Sequence, residues 1–444
     1  MTGLSRRLAA SVAAAEPDEA ATHAAIRCVV DWAGCALGGT GHPLANAVRD
    51  ALELVGEGAS CTIVGQSRRS SPYGAALANG AASHVLDFDD VNVAMIGHPA
   101  VVVIPAALAL AEHEHTDGRA LLAGVVAGYQ VASDLGRAVN PSHYERGWHA
   151  TATLGCIAAA AAAARVAGLG EEQTARALSL GATQAGGVQA MFGSHGKGFH
   201  AGRAAGAGML AAGLARAGAD VPSDVLEAQA GYFAVAADAS RSPEQPFRTD
   251  PPAILATAFK GHAACGGTHC LIDAVAAIIR EQQLDPASIQ SIHARVHQLA
   301  IRAAGLDAPT TGLEAKFSLR HLAALAAYHY PLLPDVFEGD RFTSERVVAL
   351  RDRVTLEIDE SMAYEEAMPA DVTIVTTDSR TFRRRVDVPR GRPGNPMTDE
   401  ELGRKFSALA APILGSAGAQ RALEILWRLA EAPDVAETAR ALAR

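Results

Sequence analysis

Four short segments of this 444-residue chain set ionisable side chains beside glycine or proline, and each is a place where chemistry is possible. The first is His84-Val-Leu-Asp87-Phe-Asp89-Asp90, followed by Gly97-His98-Pro99. The second is His143-Tyr144-Glu-Arg146-Gly147-Trp148-His149, with Thr151 and Thr153 after it. The third is Lys197-Gly-Phe-His200-Ala-Gly202-Arg203, and the fourth is Lys260-Gly-His262-Ala-Ala-Cys265, with His269 and Asp273 downstream. The first three are expected just upstream of helices rich in small residues, over 101–111, 154–167 and 204–217. A helix N-terminus presents unpaired N–H groups and partial positive charge, which suits a carboxylate. Small residues in its first turn let a ligand approach the backbone. Desolvation brings a His or Lys toward neutrality, as a general base requires. If the three helix starts converge, they form a basic pocket in an acidic protein.

Each residue taken singly has a plainer explanation. A lone His is more often a hydrogen-bonded core or surface group, and Asp87, Asp89 and Asp90 suit a helix cap. Lys197 and Lys260 suit solvated charges, and His113 and His115 suit a solvated helix face. The acidic cluster at 87–90 lacks the Asp-Asp-x-x-Asp spacing of magnesium-binding prenyl-diphosphate enzymes. The glycines of 202–208 lack the preceding strand of a nucleotide-binding unit, and no Gly-x-Ser-x-Gly elbow is present.

The elements that must position these residues are read from periodicity. Residues 1 to about 280 show three- and four-residue apolar spacing with Gly, Pro or Asn breaks, which predicts a large all-helical domain. Aromatics are only 5% against 49% hydrophobic residues, so Ala, Leu, Val and Ile must fill the core through close helix contacts. From about 285 the period changes. Residues 291–299 and 354–358 alternate as strands, and 371–377 with 381–388 form a hairpin through Asp378-Ser379. A helix is predicted over 314–328, and Thr398 with Glu401 makes a capping box that starts the final helices. The fold class is therefore mainly α, with a large helical domain over 1–270, a smaller α/β domain over 271–395, and C-terminal helices over 396–444 returning to the first.

The formal net charge of −10 argues against nucleic acid as a partner, which requires a basic footprint. Six scattered cysteines have neither zinc nor disulfide spacing. The N-terminus reads as an amphipathic helix rather than a signal peptide, and no segment has the length of apolar sequence a membrane span requires. A cytoplasmic location with no membrane partner is expected.

At these residues the chain resembles the MmgE/PrpD family, which includes 2-methylcitrate dehydratase, cis-aconitate decarboxylase and iminodisuccinate epimerase. The resemblance is carried by 84–90 with Gly97-His98-Pro99, by 147–155, by 197–205, by 260–265 through Asp273, and by Ala315-Lys-Phe-Ser-Leu319. It implies a large helical domain with a smaller α/β domain, a homodimer, and no metal or organic cofactor. It places Asp87, His98, His149, Lys197 and Lys260 on catalytic positions, with Tyr144 as a further acid or base by likeness to the epimerase. His200, Arg203, Cys265 and His321 are the candidate substrate-binding residues. Two departures from the decarboxylase pattern are Cys265, where that enzyme has His, and His321, where it has Tyr. The third motif also reads Lys-Gly-Phe-His rather than Lys-Pro-x-His.

The chemistries of this family share carbanion character next to a carboxylate, which needs cationic or hydrogen-bonding partners in place. On this reading Lys197 and Lys260 hold the carboxylates of a small di- or tricarboxylate, His149 or Tyr144 moves the proton, His98 protonates a leaving hydroxyl, and Asp87 orients His98. Dehydration of a 2-methylcitrate-like hydroxy acid is the expected reaction. An epimerase would need two opposed acid/base groups, and a decarboxylase a proton for the carbon that loses CO₂. A protein that binds a polycarboxylate without turning it over is the alternative outside enzymes.

Overall fold

The computed structural model describes residues 3–55, 58–238, 251–363 and 367–444. The chain forms two units. The first comprises Met1–Val85, Asp89–Thr257 and Thr398–Arg444, and the second Ala258–Met397 with the tripeptide Leu86–Phe88.

The first unit is built from α1 (Leu4–Ala13), α2 (Glu19–Gly39), α3 (Pro43–Leu52), α4 (Pro72–His84), α5 (Ala100–Glu114), α6 (Gly118–Val139), α7 (Ser142–Glu145), α8 (Ala150–Val166), α9 (Glu171–Ala182), α10 (His195–Arg216) and α11 (Tyr232–Ala236). Local chemistry starts these helices where it should. Asp18, Asp117 and Ser194 accept from the second or third amide of α2, α6 and α10, and Ser71 does so for α4, which begins on Pro72. The small-residue segments lie inside α5, α8 and α10, and Ala158 to Ala164 are wholly buried. A helix apolar on every side belongs in the core. An alanine gives little apolar area by itself, so the stabilisation comes from backbones packed closely enough to restore dispersion contacts. One short antiparallel pair, β1 (Cys61–Thr62) with β2 (Arg69–Ser70), interrupts the helical texture.

The second unit holds α12 (His269–Gln282), α13 (Gln298–Ala304), α14 (Gly312–Ala315), α15 (Leu319–Tyr328) and α16 (Glu345–Arg351) with a four-stranded sheet. Its strands are β3 (Ile289–Val296), β4 (Val354–Ile358), β5 (Ala370–Thr376) and β6 (Thr381–Val386), in the order β4-β3-β5-β6. The β3–β4 pair is parallel, so a crossover has to join them, and α13 to α16 lie within it. The β5–β6 hairpin turns at Ser379, which takes a left-handed φ of 65°. The expected helix over 314–328 is broken instead at residues 316–318. Lys316 there sends its ammonium to Leu86 O at 2.6 Å, and Ser318 caps the new start at α15.

The chain enters the second unit after Thr257, upstream of the boundary at 270 expected from sequence. The segment in question is tied to that unit by its backbone. Phe259 N donates to Gly391 O, Ala263 N to Leu332 O, and Cys265 N to Lys316 O. The chain then returns to the first unit at Thr398, whose capping box with Glu401 opens α17 (Asp399–Trp427), followed by α18 (Val435–Ala441). The six cysteines are free thiols. No helix among the described residues is long and apolar enough to cross a membrane.

Candidate active site

The helix starts do converge. A Cβ on Gly202 of α10 would lie 2.3 Å from Leu77 O of α4, and one on Gly80 would lie 2.9 Å from Gly202 Cα. Only glycine permits that crossing. With Tyr73 beside Gly206 and Val85 beside Gly198, α4 and α10 run antiparallel, so His84 at the end of α4 meets the first turns of α10. The helix α8 starts at the same end. Thr151 Oγ1, in its first turn, accepts from His98 N at 3.1 Å, and Gly97 lies close enough that a Cβ there would be 3.1 Å from Thr151 N. His98 thus precedes α5, and His149 is the residue that caps α8. Lys197, His200 and Arg203 lie within the first turns of α10 rather than upstream of it, because Ser194 starts the helix earlier than its alanines suggest.

A single buried carboxylate organises the first motif. Asp89 Oδ2 accepts from His84 Nδ1 at 2.9 Å and from His98 Nδ1 at 3.0 Å. His98 Nδ1 also reaches Asp90 O at 2.6 Å. Asp90 in turn takes Tyr129 Oη at 2.7 Å and Ala100 N at 3.1 Å, which pins the start of α5. Burial pushes the Asp89 carboxyl up, but His84 and His98 outweigh it and hold it well below the carboxylate range. Burial pushes His84 down to about 4 against the pull of Asp89, with Lys197 adding to the fall. Asp90 is held well above the ordinary range by burial, with Asp89 and Asp31 reinforcing it.

From His98 a row of rings crosses the first unit. His84 and His98 are 4.8 Å apart between centroids, His84 stacks on His149 at 5.8 Å, and His149 meets His200 at 5.3 Å. His149 Nδ1 and His200 Nδ1 share a hydrogen bond of 3.0 Å. Burial holds His149 well below its usual value, helped by His84 and Lys197, and burial with Arg203 takes His200 to about 4. His84, His149 and His200 are therefore neutral near pH 7. Phe192 stands edge-on to His149 at 5.0 Å, and the Lys197 ammonium lies 5.8 Å over the same phenyl ring.

Arg203 has a different role from the one its sequence suggests. Its guanidinium donates to Gln184 O and Gly186 O, both at 2.6 Å. It clamps the 184–187 loop on which Gly187 O accepts from His149 N. Tyr144, half-buried on α7, is joined to the site through backbone: Gln189 Nε2 donates to Tyr144 O and to Trp148 O. Its neighbour His143 donates from Nδ1 to Ala236 O and accepts from Thr153 Oγ1 at Nε2, so it is a strut between α7 and α8.

The remaining sequence candidates belong to the second unit. Lys260 is buried and donates to Asp87 Oδ1 at 2.8 Å and Asp87 O at 3.0 Å. Asp87 has a left-handed φ of 53°, a strained state that the lysine stabilises. The orienting carboxylate of His98 is thus Asp89, two residues later, and Asp87 pairs with Lys260. His262 accepts from Leu332 N at Nδ1 and donates from Nε2 to Asp273 Oδ1 at 2.9 Å, which fixes the turn after Lys260. His321 is buried on α15 against the Phe342 ring, and burial lowers it to about 4. Cys265 is half-buried, with its N–H on Lys316 O.

His84, Asp89 and His98 bring ligand atoms within 4.8 Å of one another, close enough to test as a metal site. The Asp90 carbonyl bears on one of these atoms, His98 Nδ1. A carbonyl only accepts, so His98 Nδ1 carries a proton and has no lone pair for a metal. The residues missed as site members are His84 and Asp89. Both stood in the first motif, but whether Asp87 or Asp89 meets the imidazoles depends on the turn after α4, which has no periodic signal.

The family comparisons agree with this architecture. Residues 6–245 match the MmgE/PrpD N-terminal domain and residues 262–431 the MmgE/PrpD C-terminal domain. The chain is similar to the cis-aconitate decarboxylase of Mus musculus, 27% identical over 94% of this chain and 88% of that protein. It is similar to the cis-aconitate decarboxylase of Homo sapiens at 26%, over 92% of this chain and 87% of the other. A cis-aconitate decarboxylase-like protein, oryM, of Aspergillus oryzae is 26% identical over 92% and 90%. With both domain models matched in order along a chain whose histidines gather with Lys197 at shared helix starts, the protein belongs to the MmgE/PrpD family.

Proposed function

We propose that this protein is a lyase that decarboxylates a small unsaturated tricarboxylate of the cis-aconitate type. The observation that carries the reading is the row of neutral His84, His149 and His200 set between one ionised carboxylate, Asp89, and the Lys197 ammonium. In such a substrate the bond from a CH₂ carbon to its carboxylate breaks and CO₂ leaves. The electron pair forms a new C=C bond, and the old double bond's pair moves to the far carbon of the allyl unit. The proton is therefore needed there, not on the carbon that loses CO₂. A carboxylate on that far carbon spreads the charge as an enediolate, and Lys197 with the amides at the start of α8 supplies positive potential. His149 delivers the proton from Nε2 when His200 donates to its Nδ1.

Dehydration is the second reading, and one observation favours it. His98 has its proton on Nδ1, which leaves Nε2 as a base. Elimination from a citrate-like hydroxy acid requires a base and an acid together, and the His98–His149 combination supplies both. Cys265 and His321, which depart from the decarboxylase pattern, point the same way. In this mode His98 takes the α-proton and His149 protonates the leaving hydroxyl, which reverses the roles expected from sequence.

The experiment is NMR of cis-aconitate, citrate and 2-methylcitrate incubated with the protein in D₂O. Decarboxylation gives CO₂ and one deuteron on the far allylic carbon. Dehydration gives an alkene without CO₂. No product and no deuterium from any of the three would refute both readings.

A further inference from the structure

We propose that Asp89 is a positioning residue that holds His84 and His98 in the same tautomer, with the proton on Nδ1 and the lone pair on Nε2. The proposal rests on the proton-transfer reading of the site above. Its geometric basis is one fully buried oxygen, Asp89 Oδ2, at 2.9 Å from His84 Nδ1 and 3.0 Å from His98 Nδ1. An ionised carboxylate only accepts, so both nitrogens must donate to it. The Asp90 carbonyl at 2.6 Å makes the same demand on His98 from a second direction. The two rings are 4.8 Å apart, and Lys197 acts on His84 with positive charge, so a second and third cation in this volume are disfavoured. In their neutral forms, neither imidazole then has an N–H at Nε2.

The consequence is that one charge sets the direction of two bases. His84 Nε2 is buried and has no hydrogen-bond partner among the described residues. A buried acceptor without a donor is costly, so this nitrogen is where a donor from substrate or an ordered water completes the site. An amide at position 89 keeps the shape but loses the charge. The atom in the Oδ2 place is then either an oxygen that accepts from both imidazoles or an NH₂ that donates to both, so the tautomer is no longer fixed.

The test is read first on the intact wild-type protein with ¹⁵N-labelled histidine, without substrate. Long-range ¹H–¹⁵N correlation distinguishes a protonated from an unprotonated ring nitrogen, and His84→Gln and His98→Gln assign the two rings. Both should show Nδ1–H and bare Nε2 at about pH 8, where an ordinary imidazole is neutral. Asp89→Asn should remain folded by circular dichroism, lose the fixed Nδ1–H tautomer at one or both rings, and lower kcat by up to ~10⁴, the loss seen when the Asp that orients a triad histidine becomes Asn. KM should move only a few-fold, and Asp89→Glu should restore part of kcat. An Nε2–H signal at either ring in the wild type overturns the proposal, even if Asp89→Asn fails to fold. Unchanged tautomers with unchanged kcat in Asp89→Asn overturn it as well. Wild-type Nδ1–H at both rings with no turnover of any polycarboxylate would instead refute the functional reading and support the lock.

Discussion

His149 and His200 face each other Nδ1 to Nδ1 at 3.0 Å, so one hydrogen bond joins them and only one of the two nitrogens carries its proton. When His200 donates, His149 holds a proton on Nε2 and is an acid. When His149 donates, its Nε2 is a base. The pair can therefore change the sense of proton transfer at His149, and no charge is left in the buried row once His200 Nε2 takes up the proton that its Nδ1 has passed on. His200→Ala should remove this control and lower kcat by about tenfold or more while His149 is still in place. Steady-state kinetics of the variant, together with its solvent isotope effect, measure this; a kcat within twofold of wild type would count against a role for the pair.

Lys197 and His149 carry the charge-stabilising and proton-transfer roles. Lys197→Ala and His149→Ala should each reduce turnover about a hundredfold on the true substrate. Rates near those of the wild type in both variants would sink the site assignment.

Acid stability follows from the buried imidazoles. His84 titrates near 4 in the folded chain and near 6.5 when unfolded, so the unfolded state binds more protons between these values. Stability should thus be level above about pH 7 and fall as pH drops from about 6.5 toward 4, by up to about 3 kcal/mol from this group. Urea unfolding at a series of pH values reads the slope, and His84→Gln should flatten it.

Close helix contact is the scaffold of the site. Gly202→Ala puts a methyl group against Leu77 O, a backbone atom that cannot move without α4. Overpacking of this kind costs about 1–3 kcal/mol. Thermal unfolding should show that loss, and turnover should fall with it because His84 sits at the end of the displaced helix. An unaltered melting temperature and rate would mean that the α4–α10 crossing is looser than the structure shows.

The protonated Nδ1 of His98 also bears on metals. Prolonged treatment with EDTA should leave the rate unchanged, and a rate that falls and recovers on adding a divalent cation would contradict the proton-transfer role given to these histidines.

Much of this was legible in the sequence. The alternations at 354–358 and in the 371–388 hairpin became β4, β5 and β6, and the small-residue stretches became α5, α8 and α10 because a helix without a polar face has nowhere to lie but the interior. The convergence of helix starts was also readable, since the histidine and lysine motifs preceded or opened those helices. What could not be read was the partner of each charge. Asp87 and Asp89 are both carboxylates in one irregular turn. Their separation into a lysine partner and a histidine partner follows from the left-handed backbone at Asp87, which has no compositional signature. Arg203 reads as a substrate ligand because nothing in its own segment shows the two carbonyls of the 184–186 loop that it bonds. Residues 316–318 break the helix expected over 314–328 because Lys316 bonds a carbonyl 230 residues away in sequence.

Proton transfer at this histidine row is tested by ¹H NMR of cis-aconitate with the wild type and His149→Ala in D₂O. CO₂ release with a single deuteron in the product is expected for the wild type, and both should fall about a hundredfold in the variant. Product formed by His149→Ala at the wild-type rate with the same deuterium content would contradict it.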